Sequence, residues 1–336
     1  MNSFYPLKVS QIRALTTNAV ELKFEIPAEL KSKFNFKAGQ YITIKHQIRG
    51  EEVRRAYSIC SSIEEGISVG VNKVETGKMS FFLTTKIKEG DVLEVMPPTG
   101  NFVLQGKNVV GICAGSGITP ILSMIKTILL NNNSKFTLIY GNKTQDSTMF
   151  YSDIKQLNID THFVFSKEKV EGAKEGRIDR NMLDTFSDKI LSADAYFICG
   201  PGEMIDTVSD FLTMKGIEKS KIHFERFTTT EKEETSKKQT EEITSNVLVS
   251  IDGDDFEFTL SSNGKSILDA AMDAGADVPF SCKGGVCCTC KAKVIKGKAS
   301  MDQNFSLSEE EVEEGFILTC QAHPITENII VDFDEM

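Results

Sequence analysis

The stretch SCKGGVCCTCKAKV, residues 281–294, decides how the chain is read. Cys282, Cys287 and Cys290 stand at C-x4-C-x2-C spacing, and Cys320 follows in ILTCQAHP. Thiolates are soft ligands, and four of them at this spacing wrap a [2Fe–2S] core. Gly284 and Gly285 let the backbone bend tightly and aim amide N–H groups at the sulfurs. Zinc sites usually repeat C-x2-C, which occurs once here. A disulfide framework needs an oxidising compartment, and MNSFYPLKVSQI lacks the apolar core of a signal peptide. Cys288 is off register; it reads as a non-ligand that leaves the loop more open to oxidation. A cluster of this kind moves one electron at a time and does no chemistry on organic substrates. The rest of the chain must therefore say where electrons come from and where they go.

With 336 residues the chain holds two or three domains. No apolar run is long enough to span a membrane, since GICAGSGITPILSMIKTILL is broken by Gly, Pro and Lys. Eight cysteines, four of them in one ligand pattern, fit a reducing cytoplasm. Charge is divided unevenly. Residues 246–336 carry 6 Lys against 17 Asp and Glu, whereas residues 1–227 carry 29 basic and 26 acidic side chains. An acidic C-terminal module argues against nucleic acid and for docking to a basic protein surface, although acidity also serves solubility.

Along the chain, VELKFEI, GQYITIKHQI, RRAYSICS, GISVGVNKV and DVLEVMPP are short alternating runs between turn residues. They predict a closed antiparallel β-barrel over residues 1–104. Residues 105–227 change character. NVVGICAG, KFTLIYGN and DAYFICGP read as strands; ITPILSMIKTILLN, YSDIKQLN, RNMLDTFS and GEMIDTVSDFLTMKG read as helices. That alternation predicts a doubly wound α/β domain on a parallel sheet. TTTEKEETSKKQTEEITS, residues 228–245, has one aliphatic residue and dense mixed charge, the composition of a linker. Residues 246–336 open on a hairpin turning near DGDD; SILDAAMDAG and SEEEVEEG read as short helices, and ENIIVDFD as a last strand. This makes an α+β module around the cysteine loop.

Three further places are candidates for chemistry. GICAGSGITP follows a strand and opens a helix, so Gly115 and Gly117 permit close approach of a phosphate to free amides. It is not a G-x-G-x-x-G fingerprint, because Pro120 takes the last position, and such a turn serves packing equally well. In RRAYSICSS, a guanidinium at Arg55 can clamp a phosphate and Tyr57 can stack on a flat heterocycle, with Ser58 on the other face of the strand. A surface ion pair beside a core tyrosine is the plainer alternative. GKMSFFL offers Gly77 and Ser80 at a helix start, a second pyrophosphate seat. Cys199 of ICGPGEM stands at a strand's carboxyl end, where such sheets bind ligands, although a cysteine there is more often a small buried hydrophobe.

Together YSIC, AGSGITP, FTLIYGN, GRID, FICGP, ERF, CKGGVC and VDFD resemble the ferredoxin–NADP reductase superfamily fused to a plant-type ferredoxin. This order resembles the reductase component of multicomponent oxygenases. The resemblance implies a flavin domain, a nicotinamide-nucleotide domain and a β-grasp ferredoxin module. It implies FAD held by Arg55, Ala56, Tyr57 and Ser58 of R-x-Y-S and by Gly77, Lys78, Met79 and Ser80. It implies that Gly115, Gly117, Thr119 and Pro120 face the nicotinamide dinucleotide. Cys199, Ser58, Glu225 and Phe227 would flank the reacting rings, with Phe227 covering the flavin face that nicotinamide must reach. A ribose-binding acid is expected after the second strand of the nucleotide domain, and YGNKT has none. Lys143, Ser166, Lys167 and Arg177 would then meet a 2′-phosphate, which favours NADPH over NADH. Flavin must stand between a two-electron donor and a one-electron cluster. The implied partner is a protein electron acceptor: an oxygenase component, or alternatively a hydroxylase or desaturase. Two rival readings are a redox-sensing interaction protein without turnover and a structural zinc protein.

Overall fold

In a computed structural model of the chain, residues 3–131, 134–227 and 242–335 are described. Most of the expected linker, residues 228–241, lies outside them. The described residues fall into two compact units, divided at Phe227 and Thr228.

The first unit opens with β1 (Tyr5–Thr16), β2 (Ala19–Glu25), β3 (Tyr41–Ile48), β4 (Glu51–Ser58), β5 (Ser68–Asn72), α1 (Lys78–Thr85) and β6 (Val92–Thr99). The six strands form one antiparallel sheet in the order β4-β3-β6-β1-β2-β5. It curls until Ile59, just beyond β4, bridges Val69 of β5, which closes the barrel at that point. Inward residues such as Leu7, Leu22, Ile42, Ile44, Val69 and Val95 are fully buried. Alternation drives this: one face of each strand leaves water, and apolar burial stabilises by roughly 25 cal/mol per Å2. β1 was not among the expected strands. Its register slips between Val9 and Gln11, so its alternation breaks where the sequence would have to show it.

The same unit continues with β7 (Asn108–Ala114), α2 (Ile118–Ile128), β8 (Lys135–Asn142), α3 (Tyr151–Gln156), β9 (Asp160–Phe165), β10 (Lys174–Glu175), α4 (Arg180–Asp184), α5 (Ser187–Ile190), β11 (Ala195–Gly200), α6 (Gly202–Met214) and β12 (Ile222–Arg226). These six strands form one parallel sheet, in the order β10-β9-β8-β7-β11-β12. Both faces are covered. Ile121, Ile125 and Ile154 pack on Val109, Leu138 and Phe197, while Leu183, Val208 and Leu212 pack on Val110, Ile139 and Ile198. The strand order reverses between β7 and β11, so a crevice opens at their carboxyl ends, as in other doubly wound sheets.

The second unit holds β13 (Thr244–Ile251), β14 (Asp254–Ser261), α7 (Ile267–Asp273), β15 (Lys291–Lys296), β16 (Ala299–Met301), α8 (Glu309–Glu313), β17 (Phe316–Leu318), β18 (Ala322–Pro324) and β19 (Asn328–Asp332). β13 opens inside the stretch expected as linker. Its hairpin with β14 turns at Asp252 and Gly253, both with positive φ (51° and 84°), as a two-residue Asp-Gly turn requires. The main sheet runs β14-β13-β19-β15-β17, with β13 and β19 parallel. Ile267, Leu268 and Ala271 of α7 seal one face.

Candidate functional site

The cysteine loop leaves regular structure after Asp273, the end of α7, and rejoins it at β15. Within it the four expected ligands gather. Cys282 and Cys287 have their Sγ atoms 3.1 Å apart, and Cys320 meets the side chains of both Cys282 and Cys290. The amide of Gly284 donates to Cys282 Sγ at 3.3 Å. Gly285 has φ +72°, and a Cβ there would lie 2.9 Å from Gln303 O, so the turn admits little but glycine. The thiols disagree about ionisation. Contact with Cys287 and Cys320 holds Cys282 far below the usual thiol range; Cys290 is also lowered, by Cys320. Cys287 is pushed up by its bond with Cys282, and Cys320 by Cys282 and Cys290. Four crowded sulfurs without a cation cannot all ionise, and a cationic iron core removes that conflict. Among the described residues, no group of three His, Cys, Asp or Glu side chains is arranged to hold a single metal ion. A two-iron core spreads its four thiolates over two metals, so the donor set fits a [2Fe–2S] cluster. Cys288 turns away: its Sγ contacts Ser306 O at 3.4 Å, and burial pushes its pKa up to about 12.

In the first unit, β4 presents Arg55 exposed, Tyr57 half-buried and Ser58 buried. Burial raises the Tyr57 phenol while Arg55 pulls it down. Gly77 caps α1 with no side-chain oxygen, which leaves first-turn amides open to an anion. Met79 is buried, and Ser80 Oγ accepts from Val74 N at 3.1 Å and reaches Gly77 O at 3.3 Å. Ser80 thus holds the turn ahead of the helix. Lys78, at the helix start, is paired with Glu51. A ring-stacking tyrosine, a cation and open helix amides suit a flavin dinucleotide.

At the switch point, Gly115 has φ +56° with open space beyond, and Gly117 is forced: a Cβ there would lie 2.2 Å from Cys199 O. Thr119 Oγ1 donates to Ser116 O at 3.0 Å and Pro120 sits in the first turn of α2, where its missing N–H costs nothing. The N-terminus of α2 has no side-chain cap. Sequence reasoning missed the buttress beneath this turn: Tyr140, fully buried on β8, donates its hydroxyl to Gly115 O at 2.9 Å. Its only local signal is a polar tip inside a buried strand.

The other expected residues divide. Ser58 Oγ and Glu225 Oε2 share a hydrogen bond at 3.3 Å, although 167 residues separate them. Glu225 is half-buried on β12, and desolvation pushes its carboxyl up to about 8 against the pull of Ser58. Cys199 is its register partner on β11 and is wholly buried, with a thiol raised by desolvation and by Glu225. Gly200, not the thiol, forms the accessible edge there. Phe227 is 39% exposed. Beyond the carboxyl ends of β8 and β9, Ser166 N donates to Asn142 O at 3.0 Å and Lys167 N to Lys143 O at 2.9 Å. Gly176 N donates to Phe165 O at 2.8 Å, which brings in the chain beside Arg177. Lys143, Ser166, Lys167 and Arg177 are thus exposed on one sheet edge. An acid not expected from sequence, Glu168, accepts from Gln145 N at 2.6 Å on the same edge.

Comparison with known proteins follows this layout. Family models match in series: an oxidoreductase FAD-binding domain over residues 6–104, an oxidoreductase NAD-binding domain over 112–210 and a 2Fe-2S iron-sulfur cluster binding domain over 249–324. One subunit of the 1,2-phenylacetyl-CoA epoxidase of Escherichia coli (strain K12) is 39% identical over 351 residues, covering 99% of each chain. The ferredoxin reductase component of 3-ketosteroid-9-alpha-monooxygenase from Rhodococcus rhodochrous is 30% identical, over 97% of this chain and 96% of that one. Phthalate dioxygenase reductase shares the fold, with a TM-score of 0.63 at 24% identity over 98% of both chains. No described helix is long and apolar enough to cross a membrane. The chain belongs to the family of oxygenase reductase components that join an FAD-binding, an NAD-binding and a [2Fe–2S] domain in one polypeptide.

Proposed function

We propose that the protein takes electrons from NADPH through FAD to its own [2Fe–2S] cluster, and delivers them to the oxygenase component of a phenylacetyl-CoA epoxidase in the cytoplasm. The observation that carries the acceptor is the 39% identity, end to end, with one component of that epoxidase. The exposed Lys143, Lys167 and Arg177 support NADPH, since three cations on the ribose edge favour a 2′-phosphate. Eight cysteines without a disulfide suit a reducing compartment.

Bound flavin supplies the conversion of a two-electron donor into single electrons. The chain's own residues bind and orient. Arg55 and the amides of Lys78 and Met79 hold the flavin's phosphates, and Tyr57 and Ala56 of β4 line its ring. Gly115, Gly117, Thr119 and Pro120 admit the nicotinamide dinucleotide against α2. Cys199, buried behind Gly200, would support the nicotinamide from beneath, and the exposed Phe227 would shield the flavin ring face from water. Ser58 and Glu225 manage a proton. With a pKa of about 8, Glu225 is mostly protonated at neutral pH, and the Ser58 hydroxyl, which donates to Glu225 Oε2, steadies the carboxylate when it ionises. Cys282, Cys287, Cys290 and Cys320 hold the cluster.

The test is reconstitution with purified oxygenase components. Electron delivery to a phenylacetyl-CoA epoxidase at a rate well above that to a steroid monooxygenase supports the proposal; the reverse order refutes the acceptor. A lower KM for NADH than for NADPH refutes the donor.

A further inference from the structure

The barrel and the nucleotide sheet meet along a seam, and the two ends of that seam are built differently. Near the glycine turn the contact is apolar and tight. A Cβ on Gly39 would lie 2.5 Å from Met124 Cε of α2, and one on Gly70 of β5 would lie 2.7 Å from Thr119 Cγ2 and 3.1 Å from the Phe150 ring. Towards the other end of α2 the seam opens into a polar cavity of about 250 Å3, lined by Arg13, Glu21, Ser61, Glu65, Lys126 and Asp153 among others. Charged side chains span this gap. Arg13 of β1 gives its Nε to Glu21 at 2.8 Å and its Nη1 to both oxygens of Asp153 at 2.9 and 3.0 Å. Its guanidinium also lies 5.7 Å from the centre of the Phe150 ring. Lys126 reaches both oxygens of Glu65 at 3.2 and 3.0 Å, and the buried Ser123 Oγ donates to Ser61 O at 2.7 Å.

Phe150 is the second observation. It is buried, yet it adopts φ 57° immediately before α3, a left-handed conformation that strains a bulky residue. That strained turn puts the Phe150 ring against Gly70 and Asp153 against Arg13, so both halves of the molecule hold it. Thr119 of the glycine turn touches the same Gly70 surface, so the seam and the nucleotide turn share a contact.

We infer that Arg13, Asp153 and Phe150 form a clasp that sets the gap between the nucleotide turn and the flavin face. They are positioning residues for hydride delivery, placed outside both binding surfaces. A displacement of about 1 Å at the reacting atoms costs up to about 100-fold in rate, so a small slip at the seam is enough.

The test is a double-mutant cycle on the full-length holoprotein with Arg13→Gln and Asp153→Asn. Flavin reduction is followed by rapid mixing, with NADH and NADPH in parallel. Each single change lowers the limiting rate about 10-fold with KM within about 2-fold for both donors, and the double change costs no more than either alone. In the oxidised protein without nicotinamide, amide hydrogen exchange over residues 150–156 accelerates in both singles. Strictly additive losses, an unchanged limiting rate, or loss of bound flavin in both singles overturns the inference, the last by making the contacts structural.

Discussion

Replacing Glu225 by Gln tests the proton-handling pair directly. The carboxyl titrates at about 8 instead of 4.5, because β12 and its neighbours strip water from it and only Ser58 stabilises the charge. At pH 7 it is therefore about nine-tenths protonated, and Gln is a close stand-in for that neutral form. Flavin reduction by NADPH in the Gln variant should stay within about 3-fold of the parent at pH 7. The difference appears at higher pH. In the parent, the limiting rate falls through an inflection near 8, as Glu225 ionises and its carboxylate is steadied by the Ser58 hydroxyl; in the variant the inflection is gone. Stability follows the same group. A carboxyl whose folded pKa is raised binds more protons folded than unfolded between pH 4.5 and about 8, so its contribution is full below 4.5 and lost as pH rises through 8. The displacement sets a ceiling of about 5 kcal/mol, and water at the half-buried carboxyl reduces this to about 1–3 kcal/mol. Denaturation of parent and variant at about pH 5 and about pH 9 reads that window: the variant gains on the parent only as pH rises. Ser58→Ala should move the inflection upward, because the Ser58 bond is what lowers it. An inflection near 8 that survives unchanged in the Gln variant refutes the assignment.

The remaining predictions concern the other sites. Cys320→Ser should lose iron and acid-labile sulfide, whereas Cys288→Ala, whose sulfur faces Ser306, should keep both; metal and sulfide assay decides. Removing residues 228–336 should leave NAD(P)H-to-ferricyanide activity and stop cytochrome c reduction, and equal loss of both would contradict that division of labour. Lys143→Ala combined with Arg177→Ala should raise KM for NADPH about 10-fold and leave KM for NADH nearly unchanged, as steady-state kinetics with each donor will show. Gly117→Ala drives a methyl against Cys199 O and should cost about 2–4 kcal/mol in thermal or denaturant unfolding, with weakened nicotinamide binding.

What could be read from residues alone was whatever short-range spacing controls. The ligand loop is legible because C-x4-C-x2-C keeps three sulfurs within one turn of backbone, and the helix at GKMSFFL because a glycine precedes an apolar run. The parallel sheet is legible because β7, β8 and β11 are buried on both faces and so appear as unbroken apolar runs. β1 is not, since it pairs with β2 across a bulge and with β6 over only four residues, leaving half its length polar. The short strands β15 to β18 escape for a related reason: they are three to six residues long beside a loop whose glycines and cysteines obey the cluster and no strand period. The least legible feature is the one on which the proton chemistry rests. Ser58 ends a barrel strand and Glu225 lies on the last strand of the nucleotide sheet, and neither neighbourhood carries a mark of the other. Resemblance named both residues, but their meeting depends on where the curled sheet stops and the parallel sheet ends. The raised pKa depends on it too, because isolated in its own heptapeptide Glu225 would be an ordinary exposed acid. A perturbed acid of this sort is a property of two domains held in one unit, so the seam that holds them also sets the ionisation of Glu225.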